Sequence, residues 1–144
     1  MNSQDSFIAS DSLIKGATIF HGHLGPYLVL GLKAGLVAIE ILGRDPFKMQ
    51  AIVETSGSPP SSCFIDGIQF TTGCTMGKGN IRSQTQEGGV VSALFIVGEK
   101  MLEVKVKLEV LEMLKNLSFE EAEKLALSLI DRKPEDLFDI CQKS

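Results

Sequence analysis

Apolar and polar residues alternate in "MLEVKVKL", with Leu102, Val104, Val106 and Leu108 on one side and Glu103, Lys105 and Lys107 on the other. That period of two predicts a strand with one buried and one wet face. "VVSALFIV" is continuously apolar and short, so it reads as a buried strand, separated from the previous one by "GEK". "KMQAIVET" and "NIRSQTQ" are two further strand candidates, and Gly88–Gly89 predicts a turn after the second. Helical spacing appears elsewhere. Phe7, Ile8, Leu13, Ile14 and Ala17 form a loose stripe that predicts a helix over residues 5–19. Pro26 suits the first position of a second helix, which should end near Leu42 before Gly43. A short helix follows from about Ser62 to Thr72, stopped by Gly73. Ser118 and Glu121 make a capping box, with Leu117 and Ala122 placed for the accompanying staple. The C-terminal third reads as helical, its last helix starting at Pro134.

Helices, then strands at hairpin spacing, then helices predict an α+β fold: a mostly antiparallel sheet with N-terminal and C-terminal helices packed around it. Residues 1–144 show no linker, internal repeat or low-complexity tract, so one domain is expected. The apolar run "LGPYLVLGLKAGLVAIEILG" approaches membrane-span length, but Lys33, Glu40 and two glycines break it, and a buried helix is the better reading. Gly31 and Gly35 share a face of that helix and would let either the core or a subunit partner approach closely.

Composition narrows the function. A hydrophobic fraction of 44% and a net charge of −4 fit a globular protein and argue against nucleic acid or an anionic membrane as partners. The start "MNSQDSFIASD" lacks a signal-peptide pattern, so a cytoplasmic location is expected, where three cysteines suggest thiols or metal ligands.

The only two histidines lie together in "FHGHLGP". On a helix His21 and His23 would diverge by about 200°. In the extended segment that the neighbouring glycines and Pro26 favour, they would share a side. His-x-His is then a metal-ligand spacing, and neutral imidazole suits zinc, nickel, copper and iron. Two solvent-facing loop histidines are the plain alternative. Cys63 falls in the first turn of the short helix, where the helix dipole favours thiolate, with Asp66 on nearly the same face. Free cysteine is more often a small buried hydrophobe. Cys74 lies beyond the other end of that helix, roughly 16 Å away, so it could reach the same ion only if the helix breaks or a second subunit contributes. In "GCTMGKGN" the glycine spacing fails the P-loop pattern; an anion nest beside Lys78 and a tight structural loop both remain. Glu54 reads as a surface acid and Cys141 as bystander packing in a polar tail.

"FHGHLGPYLVLGLKAG", "CFIDGIQFTTGCTMGKGNI" and the Gly-Gly turn together resemble the FmdE family, proteins like the FmdE component of formylmethanofuran dehydrogenase, over roughly residues 18–107. The resemblance implies an α+β core that pairs as a homodimer and a metal-binding site, for which the His and Cys ligand types put zinc first and nickel or iron next. It places that site on His21, His23 and Cys63, with Cys74 a further metal ligand. Asp66 and Lys78 join Cys63 as the residues that would carry chemistry, and Gln69, Gly73, Thr75 and Asn80 complete the motif. Where many members have Cys-Pro this chain has Gly25–Pro26, and it shows no paired-cysteine C-terminal finger, so it resembles a core-only member. The competing reading is a metal-free accessory subunit of a molybdenum or tungsten oxidoreductase. A thiol redox enzyme using Cys63 is less favoured, because no Cys-x-x-Cys pair is present.

Overall fold

The computed structural model describes residues 11–143. Two helices come first, α1 (Asp11–His21) and α2 (Pro26–Leu42), then β1 (Gln50–Thr55), α3 (Cys63–Thr72) and β2 (Ile81–Thr85). β3 (Ser92–Val97) and β4 (Lys100–Val106) follow, then α4 (Leu108–Met113), α5 (Phe119–Ile130), α6 (Pro134–Leu137) and β5 (Phe138–Lys143). The α+β class holds. Four expectations about the elements meet corrections. Helix α1 runs on to His21 rather than stopping at residue 19, and residues 5–10 of the expected helix lie outside the described range. The polar tail is not helical: it adds β5, whose burial pattern is one buried residue followed by five exposed ones. An edge strand with so little apolar alternation carries almost no periodic signal. Gly88–Gly89 does not close a hairpin, because β1 lies between β2 and β3. Finally, Cys141 is not tail packing but an exposed member of β5, paired opposite Glu103.

The sheet order is β2-β1-β3-β4-β5. β1 and β2 are parallel, with Ala51 opposite Ile81, and α3 makes the crossover between them. The remaining pairs are antiparallel. Two residues, Gly98 and Glu99, join β3 to β4, and Gly98 takes φ +61°, which glycine adopts without strain. Ala51, Val53, Phe95, Leu102 and Val104 are buried on the covered face of the sheet. Ile52, Leu94 and Ile96 alternate with them, point to the opposite face and are only half-buried.

Helix α2 packs against α3, α5, α6, β3 and β4. It is apolar nearly all round, as a helix enclosed on several sides must be. Its lysine, Lys33, donates to the carbonyls of Ile130 and Arg132, so the ammonium satisfies the C-terminal end of α5. The apolar run is therefore a core helix. Among the described residues no helix is long and apolar enough to cross a membrane.

The tightest packing joins α2 to α3. A Cβ on Gly31 would overlap the Phe64 carbonyl, and one on Gly67 would lie 2.5 Å from the Leu32 nitrogen. Gly35 faces Thr71 and Thr72, and the Thr71 hydroxyl donates to the Leu32 carbonyl at 3.1 Å. The small-residue face of α2 thus serves this chain's own core. Gly31→Ala should destabilise the protein by about 3 kcal/mol or prevent folding, as overpacking against backbone does. Gly77→Ala, where a Cβ meets nothing within 4 Å, should change stability by less than about 0.5 kcal/mol. Urea unfolding of both checks this; equal midpoints would contradict the packing described.

Candidate functional site

Three helix ends meet at one place: the C-terminus of α1, the N-terminus of α2 and the N-terminus of α3. Between them lies a cavity of about 160 Å³, which the segment from Leu114 to Ala122 closes on one side. Its polar wall is His21, His23, Tyr27 and Cys63; Leu28, Leu117, Phe119 and Ala122 are among the apolar remainder. The two histidines do converge, though not as an extended pair. His21 is the last residue of α1, and Gly22 turns the chain with φ +115° while its N–H donates to the Thr18 carbonyl. That left-handed break, at a residue where a Cβ would be strained, brings the rings to 5.1 Å between centroids. His23 also stands 6.0 Å from the Phe119 ring.

His21 is 9% exposed, and its Nδ1–H donates to the Asp66 carboxylate at 2.6 Å. A carboxylate only accepts, so this bond places a proton on Nδ1, and in the neutral ring Nε2 then carries the lone pair. Asp66 is held in turn by Gln69, whose Nε2 donates to Oδ1 at 3.4 Å. The Gln69 carbonyl oxygen Oε1 accepts from the Met76 N–H. A continuous relay therefore runs from the 74–80 loop along α3 to His21. Cys63 and Asp66 share a face of α3 at i, i+3 spacing.

The structure does not bring Cys74 or Lys78 to this cavity. Cys74 is fully buried at the far end of α3, its thiol donating to the Met49 carbonyl at 3.4 Å. Lys78 donates to the Thr75 hydroxyl and lies 5.6 Å from the Phe47 ring centre. The 74–80 loop is a structural turn rather than an anion nest. Asn80 accepts from the Thr75 N–H and donates to the Pro46 and Met49 carbonyls. The Met76, Lys78 and Gly79 amides are likewise engaged within the protein. Glu54 lies on β1, outside the cavity wall. Three wall residues carry little sequence signal: Leu117 and Ala122 fit a helix staple, and Phe119 fits an ordinary first turn. Tyr27, the single tyrosine of the chain and the neighbour of Pro26, is the available clue.

Burial pushes the Cys63 thiol above its ordinary value, and the nearby Asp66 charge adds to this. In the chain on its own, this desolvation opposes the thiolate that the start of a helix favours. Cys74 is raised too, first by burial. In chelator-treated Cys141→Ser protein, Cys63 should alkylate with iodoacetamide only slowly at neutral pH, and faster as pH rises past the usual cysteine range. Asp66→Asn removes a charge that favours the thiol, so it should shift that profile to lower pH. A profile moving the other way would contradict the electrostatics.

In chemistry the donors suit an ion of the zinc class: two imidazoles, one with its free nitrogen fixed by a carboxylate, and a thiol. In geometry they are incomplete. Among the described residues no three of His, Cys, Asp and Glu are grouped closely enough to hold a metal ion. A family model described as "FmdE, Molybdenum formylmethanofuran dehydrogenase operon" matches residues 20–143. A probable S-adenosyl-L-methionine-binding protein of Archaeoglobus fulgidus is 34% identical over 71 residues, which is 48% of this chain and 19% of that protein. The crystal structure of a tungsten formylmethanofuran dehydrogenase FmdE-like protein from Syntrophus aciditrophicus has the same fold. It shows a TM-score of 0.62 at 21% identity, over 91% of this chain and 70% of that one.

Proposed function

The chain belongs to the FmdE family, and on that premise we propose that it binds a transition-metal ion, zinc first and nickel or iron next, at the head of the cavity. His21 is the anchoring ligand, with His23 and Cys63 as further donors. The observation that carries this reading is the His21–Asp66 couple. A carboxylate on one imidazole nitrogen is the arrangement that orients histidine ligands and raises their basicity. An ion with an open position supplies Lewis acidity or an activated water. The chain's own residues orient that position. Asp66 holds the His21 ring, Gln69 holds Asp66, and Leu28, Leu117 and Phe119 limit water around it. Metal binding would also remove the Cys63 proton, reversing the preference that burial imposes. The absence of a ready three-donor group among the described residues means that Cys63 or His23 must shift on binding. That same observation favours a second reading, a metal-free accessory subunit of a molybdenum or tungsten oxidoreductase.

Neither Cys74 nor Lys78 enters this site, and reaching Cys74 from a second copy would require opening the core. A homodimer is nonetheless proposed. The half-buried apolar row Ile52, Leu94 and Ile96 on the uncovered sheet face supports it. The relative's name suggests S-adenosyl-L-methionine as a ligand, which the lining of the cavity does not single out.

Elemental analysis of protein purified without chelator should find about one metal ion per chain, lost in His21→Ala/Cys63→Ser with the fold retained. Asp66→Asn should keep the ion but weaken its binding about 10- to 100-fold in a chelator competition. No metal in the parent, even after reconstitution with zinc, nickel and iron, would leave the accessory-subunit reading in its place. Light scattering on the eluting protein should give twice the chain mass; a monomer would contradict the dimer.

A further inference from the structure

We propose that the cavity seats an oxyanion, the chemistry shared by a carboxylate and a phosphate group, on the backbone N–H groups of Tyr27 and Leu28, with a second oxygen turned to the open position of the ion. The inference rests on the reading of this cavity as a metal site, and it adds the class of ligand the site takes.

The backbone donors of α2 come first. The helix starts at Pro26, which has no N–H, and its N-cap is Gly25, which has no side chain to make a capping bond. The Val29 N–H donates to the Gly25 carbonyl at 3.2 Å. The N–H groups of Tyr27 and Leu28, just before it, have no acceptor among the described residues. Leu28 is fully buried. A buried N–H without an acceptor is rare, because it gives up its hydration for nothing. The first turn, Gly25 to Leu28, lines the cavity, so an acceptor placed there supplies what the chain does not.

The surroundings make that acceptor an anion. Adjacent unpaired donors at the start of a 17-residue helix present partial positive charge. No Asp or Glu lines the wall to repel a negative group, and the Asp66 carboxylate is engaged by His21 Nδ1. His21 lines the same cavity, is 9% exposed, and makes no bond through Nε2 among the described residues. No Lys or Arg lines the wall either, so an ion held by His21 would be the full positive charge that the second oxygen meets. The start of α3 does not compete for the anion: the N–H groups of Ser62, Cys63, Phe64 and Ile65 donate to the carbonyls of Ser58, Pro60, Ser61 and Ser62. Gly25 keeps the seat open. A side chain there would reach the same amides as a cap, and its Cβ would stand 2.9 Å from His23 Cε1.

The test titrates acetate and inorganic phosphate into the full chain, zinc-loaded and chelator-treated, at constant ionic strength in chloride, and reads amide chemical shifts. The Tyr27 and Leu28 amides should move saturably in both forms, with affinity about tenfold or more higher when zinc is bound. Whichever anion binds more tightly identifies the group the ligand carries. In chelator-treated Gly25→Asp the new carboxylate caps the same amides, so affinity should fall about tenfold or more. Gly25→Ala crowds His23 equally but brings no acceptor, and it should bind like the parent. Retained Leu102 and Val104 shifts show that each variant is folded. Tyr27 and Leu28 amides that move with neither anion, a Gly25→Asp response as strong as the parent's, or zinc that binds without tightening either anion would overturn the proposal. Failure of the metal reading looks different: the amides respond and Gly25→Asp removes the response, but zinc does not bind.

Discussion

The near-contact of two helix backbones sets the rest of this structure. Gly31 of α2 lies against the Phe64 carbonyl, and Gly67 of α3 lies against Leu32. Only glycine permits that approach, and the approach fixes where α3 begins. Cys63 and Asp66 follow from it, because they occupy the first turn of the helix so placed. Gly73, with φ +79°, then ends α3 and sends the chain into the loop that starts β2. The parallel β1–β2 pair and the site at the opposite end of α3 are thus two consequences of one packing constraint.

The same helix carries a hydrogen-bond relay. The loop amide of Met76 holds Gln69, Gln69 holds Asp66, and Asp66 holds His21. A loop at the far end of α3 therefore bears on one imidazole. This explains in physical terms why Asp66 and Gln69 belong with His21 although 45 residues separate Asp66 from it in the chain. It also gives the 74–80 loop a structural role: its polar groups are consumed in holding its own shape and the end of Gln69. At Cys63, burial and the neighbouring Asp66 carboxylate both raise the thiol's pKa.

Much of this is legible in the residues. Alternation locates β4, a short continuous apolar run locates β3, Pro26 and Gly43 bound α2, and the Ser118–Glu121 capping box forms as its spacing requires, with both reciprocal bonds present. Strand β5 is not legible, because it is exposed at five of six positions and no buried face marks it. The order of β1 and β2 is hidden for a different reason: parallel pairing is set by a crossover, and a Gly-Gly turn looks the same whether or not its flanking strands pair. At the site, an extended segment would bring His21 and His23 together, but a helix end and the Gly22 turn achieve it instead. Periodicity alone cannot separate these, because one left-handed glycine redirects the chain. The closing wall of Leu117, Phe119 and Ala122 comes from a region distant in sequence and follows only from how α5 docks on α2.

The central claim is that His21, His23 and Cys63 form one metal centre in the folded chain. X-ray absorption at the zinc edge, on reconstituted protein in solution, tests it most directly. The account predicts a shell containing nitrogen at about 2.0–2.1 Å and one sulfur at about 2.3 Å, with the sulfur lost in Cys63→Ser. A shell of oxygen alone, or one whose sulfur survives that substitution, would contradict it.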